Sequence, residues 1–148
     1  MPNVYVIMGD RNARKSATIR ALTGAFQKDV YQVAIQDTRI INVFVHISSL
    51  QESQISPQQF IHQIGQNDYQ YVLVSLWISQ GNRQPNGSVY IQNFLNARWN
   101  ILQIVVLGTN HLPYGLSPNI PHPKHIPNSQ GLPANQIASQ IREWWQWL

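Results

Sequence analysis

The sequence predicts a three-layer α/β/α sandwich around a mostly parallel sheet that carries one antiparallel hairpin strand. Three observations lead there. Short apolar runs of strand length alternate with stretches of helical period along the 148 residues. Two of those runs, 69–78 and 101–108, are almost continuously apolar, as strands covered on both faces are. Two strand-type runs also follow each other around residue 37 with no helix between them, which suits an antiparallel hairpin.

Residues 3–8 (NVYVIM) are β-branched and apolar and end at Gly9, so they read as a buried strand. From Ser16 the period becomes helical, with Ile19, Leu22 and Phe26 expected on one inward face. YQVAIQ (31–36) and RIINVFVHI (39–47) read as strands joined at Asp37-Thr38. Ser56-Pro57 opens a second helix, serine suiting the N-cap and proline the first helical position. Its apolar face is Phe60, Ile61 and Ile64. YQYVLVSLWI (69–78) is a central strand, and QGNRQPNG (80–87) is turn chemistry. A third helix follows with Ile91, Phe94 and Leu95 inward, then the strand ILQIVVLG (101–108). Six of the nine prolines lie between Pro113 and Pro133, so 109–132 is expected to be a long surface loop. The last helix begins near Pro133 and turns Ile137, Ile141, Trp144, Trp145 and Leu148 toward the sheet. Trp147 falls off that face and is expected at the surface, as a candidate contact for a protein partner.

Length and composition suit a single domain over 1–148, with 43% hydrophobic residues to bury. There is no cysteine, which excludes disulfides and thiolate metal sites. No apolar run is long enough to span a bilayer and no signal-peptide pattern is present, so no membrane association and a cytoplasmic location are expected. Surface polarity comes largely from amides, with 13 Asn and 18 Gln against 16 charged residues. The formal charge is +4, and Arg11, Arg14, Lys15, Arg20, Lys28 and Arg39 are six of the ten basic residues. An N-terminal half so charged attracts anions. A phosphate-bearing ligand fits better than nucleic acid, because no stripe of interleaved aromatic and basic residues is visible.

The candidate site is GDRNARKS, residues 9–16, between the first strand and the first helix. VYVIMGDRNARKSATIRALTG resembles the strand–loop–helix of P-loop NTPases, whose motif is G-x-x-x-x-G-K-[ST]. Gly9, Lys15 and Ser16 match; Arg14 stands where the motif has its second glycine. The element order, with a hairpin after the first helix, resembles small GTPases. The resemblance implies a nucleotide, ATP or GTP with Mg²⁺, held along Gly9, Asp10, Arg11, Asn12, Ala13, Arg14, Lys15, Ser16 and Ala17. In that scheme consecutive backbone N–H groups wrap the phosphates at the positive end of a helix. Lys15 reaches the outer phosphates, and the Ser16 hydroxyl meets the metal, with Thr38 as a switch-like second metal contact. As a structural alternative, Asp37-Thr38 is simply a hairpin turn.

The rest of that family's apparatus is thin. The strands that would end in a metal-holding aspartate reach Ser48 and Ser75 instead. SSLQES (48–53) stands in the place of D-x-x-G, with Gln51 or Glu52 as water-positioning candidates beside the reading of a plain polar loop. GTNH (108–111) offers Asn110 to a base edge but no aspartate to read guanine. The expected function is a nucleotide- or phosphate-binding P-loop protein with weak or no hydrolysis. The alternative is a non-enzymatic protein-interaction module that retains the fold without its nucleotide. His111, His122 and His125 share the Pro-rich segment without an acid nearby, so a surface loop is expected there rather than a metal site. His46 and His62 are expected to be packing or surface residues.

Overall fold

A computed structural model describes residues 1–111, 113 and 115–148. Its strands are β1 (Asn3–Met8), β2 (Asp29–Ala34), β3 (Ile40–Ser49), β4 (Tyr71–Leu76), β5 (Asn100–Leu107) and β6 (Lys124–Ile126). Its helices are α1 (Lys15–Thr23), α2 (Pro57–Asn67), α3 (Gly87–Asn96) and α4 (Ala134–Trp145), with a single 3-10 turn at Ser129–Gly131. The strands form one sheet in the order β2-β3-β4-β1-β5-β6. Among the described residues, β2–β3 is the one antiparallel strand pair. This is the expected α/β class with its single hairpin strand.

Strand periodicity explains the layering. Along β1, Val4, Val6 and Met8 point to one face, where Phe60 and Ile64 of α2 and Tyr90, Ile91 and Phe94 of α3 cover them. Tyr5 and Ile7 point to the other, against Ile19 and Leu22 of α1 and Ile137, Ile141 and Trp145 of α4. Both sides of the strand are dry, so its sequence is a run of apolar residues without alternation. The two helices on the second face are also joined by a side chain. Arg142, in the last turn of α4, donates to the carbonyls of Ala21 and Leu22 near the end of α1.

Ser56 caps α2 as expected, through a reciprocal box in which Gln59 N–H donates to Ser56 Oγ and Ser56 N–H donates to Gln59 Oε1. The turn chemistry of 80–87 closes a bridge between Gly81 and Gln84. No helix among the described residues is long and apolar enough to cross a membrane.

Four expectations change. Helix α1 ends at Thr23, because Gly24 enters the left-handed region (φ 73°) and donates to the Arg20 carbonyl. Phe26 therefore leaves the helical face and is 89% exposed. The segment 109–132 is not one loop, since it carries β6 at the sheet edge and the 3-10 turn. Three residues of strand have no periodicity to read, and parallel pairing with β5 makes them a strand. Its residues 112 and 114 lie outside the described residues. At the C-terminus, Gln146 takes φ 58° and breaks the helical phase. Trp147 thus turns inward, 2% exposed, and bridges Ile35 of the hairpin, while Leu148 ends exposed. Trp99 is likewise buried, stacked on Phe94 with ring centroids 4.6 Å apart. The aromatic tail is core rather than a partner surface.

Candidate functional site

β1 lies between β4 and β5 in the sheet. The connection after β1 leads through α1 to β2 and β3 on one side, and the connection after β4 leads through α3 to β5 on the other, which opens a crevice where open α/β sheets place their ligands. The loop 9–14 sits at the C-terminal end of β1. Gly9 is required by close approach: a Cβ there would stand 2.9 Å from Ala13 Cβ and 3.0 Å from the Leu107 carbonyl. Ala13 is buried, its N–H bonded to the Asp10 carbonyl and its own carbonyl accepting from Ser129 Oγ at 3.0 Å. The Asp10 carboxylate is turned away from α1 onto Ser79, accepting from its N–H at 3.2 Å and its hydroxyl at 2.8 Å. These ties fix the loop to the ends of β4 and β5.

Asn12 (φ 66°) and Arg14 (φ 70°) adopt the left-handed conformation, with Ala13 between them outside it. Such alternation turns successive amides toward one concavity. Arg14 is also the N-cap of α1 and supplies no capping side-chain bond, unlike Ser56 and Asn86 at the starts of α2 and α3. A positive φ is the backbone demand that a glycine meets without cost. Arginine meets the same demand here at a cost of about 1 kcal/mol.

The loop borders a cleft of about 530 Å³ lined by Arg11, Asn12, Arg14, Lys15, Ser16, Ala17, Ser49, Glu52, Trp77 and Asn82. That volume accommodates a small ligand. Lys15 is only 7% exposed, and its Nζ donates to the Asp10 carbonyl at 2.7 Å. Burial pushes its pKa down to about 8, against the opposing pull of Asp10 and Glu52. The ammonium is thus largely charged at pH 7 and stripped of most of its water. Arg11 and Arg14 are exposed at the rim, and the Arg11 guanidinium lies 4.7 Å from the centre of the Trp77 ring. The ring also packs on Gly81, where a Cβ would come within 2.5 Å of it.

Of the expected site residues, Arg11, Asn12, Arg14, Lys15, Ser16 and Ala17 line the cleft, while Gly9, Asp10 and Ala13 build the loop behind it. Thr38 is not brought there. Its turn follows the Ala34↔Ile40 pair at the N-terminal end of β3, whereas Ser16 lies against the Ile47 carbonyl near the other end. The intervening strand is about 25 Å long. Asp37 and Arg39 pair with each other in that turn, with Arg39 Nε 2.7 Å from Asp37 Oδ2. Asn110 is exposed in the loop after β5 and does not line the cleft.

The strand ends carry hydroxyls. Ser49 and Ser75 are buried with their Oγ atoms 3.1 Å apart. Gln51 is a structural clamp rather than a water-positioning group. Fully buried, it donates Nε2 to the Trp77 and Pro85 carbonyls and accepts the Trp77 N–H at 3.0 Å. Glu52 is the single carboxylate in the cleft lining. The Ser16 hydroxyl and the Glu52 carboxylate, with the side-chain oxygens of Asn12, Ser49 and Asn82, are the groups of this lining that could hold a magnesium ion, and among them Glu52 carries the charge. Trp77, Ser49 and Asn82 complete the cleft without having been expected. Trp77 had a legible signal, as it ends an apolar run at the C-terminal edge of the parallel sheet; Asn82 had none.

Comparison of the chain with protein-family models, with curated proteins and with solved structures gives no significant match.

Proposed function

We propose that this cleft binds the phosphate chain of a nucleotide, ATP or GTP with Mg²⁺, or of another phosphate-bearing ligand, as the resemblance of GDRNARKS to a P-loop suggests. One observation carries the reading: Lys15 is a buried ammonium that lines the cleft, satisfied by one carbonyl at 2.7 Å. A charge buried with a single neutral partner is costly, and an anion would relieve the cost. Arg11 and Arg14 add positive charge at the rim, and the first-turn amides of α1 have no capping side chain.

The same arrangement supports weak or absent hydrolysis. Ser49 and Ser75 occupy the strand ends where a metal-holding carboxylate would be needed, and Gln51 is fully engaged in packing bonds. Glu52 is the one charged oxygen group left to order a metal or a water, and positioning by one exposed side chain is poor catalysis.

Calorimetric titration of Mg·ATP, Mg·GTP and pyrophosphate onto wild type, Lys15→Met and Arg14→Gly tests the reading. Saturable binding is expected, with at least about a tenfold loss in Lys15→Met. Arg14 lines the cleft, so Arg14→Gly is expected to weaken binding several-fold. No heat from any of the three ligands at millimolar concentration would favour the alternative, an interaction module without nucleotide.

A further inference from the structure

A second cavity of about 650 Å³ opens beside the first and shares Ser16 and Glu52 with it. Its lining includes Arg20 from α1, Phe26 and Lys28 from the segment before β2, and His46 and Ser48 from the end of β3. We propose that this cavity is a separate binding site for a nucleotide unit, with the phosphate on Arg20 and Lys28 and the base stacked on Phe26.

Charge is the first argument. The two cavities together are lined by five of the chain's ten basic residues and by one acid, Glu52. The other five basic residues are matched in number by the other five acids. The chain's net positive charge of +4 is therefore the charge of this groove, and two of its cations, Arg20 and Lys28, lie outside the first cavity. Among the described residues, neither Arg20 nor Lys28 has a carboxylate partner within ion-pair distance.

Phe26 is the second argument. At 89% it is the most exposed large apolar side chain among the described residues, and it lines a cationic cavity. An aromatic face flanked by cations recognises a ring that carries a phosphate, since every base has a face to stack and the backbone supplies the anion. The cavity floor is compatible. His46 is buried, with Nδ1 2.8 Å from the Ser48 carbonyl. Burial, reinforced by Lys28, holds its pKa below the usual range against the Ser48 carbonyl, so the ring is neutral at pH 7. The ring therefore adds no charge, and Glu52 is the one acid in the cavity's lining.

The ligand chemistry has two sources, a free mononucleotide or a nucleotide within a single strand. An NMR titration with adenosine monophosphate and an anisotropy titration with a labelled oligothymidylate, both on the full chain, separate them. Binding of the monophosphate with amide shifts at 26–28 and 46–48 assigns the free nucleotide. Binding of the oligomer alone, falling steeply with salt, assigns the strand. In either case Phe26→Ala and the Arg20→Ala/Lys28→Ala pair are each expected to weaken binding about tenfold. The amide shifts at 26–28 and 46–48 are expected to persist in Lys15→Met, because Lys15 does not line the second cavity. Phe26 and Lys28 are exposed, so their variants fold. Silence from both probes, affinity unchanged in Phe26→Ala, or a loss confined to Lys15→Met would overturn the proposal. Because Lys15→Met tests the first cleft and Phe26→Ala the second, either reading can fail alone.

Discussion

Replacing Lys15 by methionine isolates the energetic cost of the buried ammonium. The folded-state pKa of about 8 lies below the unfolded value of about 10.4, so folding disfavours the charged form. Below pH 8 both states are protonated and the full cost is present. As the pH rises from about 8 to 10.5 the folded protein loses its proton first, and stability returns. A shift of this size corresponds to about 3 kcal/mol, of which 2 to 3 kcal/mol is recovered between pH 7 and pH 10. Methionine keeps most of the side-chain volume and carries no charge, so Lys15→Met lacks this recovery. Urea unfolding of both proteins at pH 7 and pH 10 measures it. The difference in stability, variant minus wild type, is expected to be more favourable at pH 7 by about 2 to 3 kcal/mol. Titrations elsewhere cancel in the comparison. An equal difference at the two pH values would show that Lys15 is not desolvated, and the argument for an anion on it would fall. If the cleft binds phosphate as proposed, affinity is expected to decline at alkaline pH, where the ammonium is lost.

Three further outcomes follow from packing. Gly9→Ala places a methyl against Ala13 Cβ at 2.9 Å and the Leu107 carbonyl at 3.0 Å, and is expected to destabilise by about 1–3 kcal/mol in urea unfolding. Gln51→Ala removes the partners of the Trp77 N–H and of the Trp77 and Pro85 carbonyls; a loss of about 2–4 kcal/mol is expected, together with altered Trp77 fluorescence. Trp147→Ala empties a site packed on Tyr5 and Trp145, with ring centroids 5.0 and 5.2 Å away. It is expected to cost about 3–5 kcal/mol, whereas an exposed tryptophan would cost almost nothing.

Much of the fold was legible because burial writes itself into local periodicity. The β1 run NVYVIM reads as a strand covered on both sides since both sides are dry. Ser56-Pro57 marks a helix start since capping is settled within four residues. The loop GDRNARKS was likewise visible as a spacing, including its departure at Arg14. What that departure means was not visible. The position needs a positive φ, which arginine also adopts, and the resulting geometry keeps the cation at the cleft.

Phe26, Trp147 and Thr38 mark the limit. Helical phase placed Phe26 inside and Trp147 outside, yet single left-handed residues, Gly24 and Gln146, reverse both. One residue at positive φ redirects everything after it, and only the partners waiting there decide where the chain goes. Thr38 is separated from Ser16 by the length of a strand, a distance that element order alone does not contain. The sequence by itself determined the α/β class, the hairpin, most of the strands and helices, and the spacing within GDRNARKS, since each depends on neighbours in the chain. The sheet order, the sixth strand, the burial of Trp147 and the second cationic cavity were decided by tertiary structure. Each depends on contacts between residues far apart in sequence, as when Arg20, Phe26, Lys28 and His46 meet at one edge of the sheet.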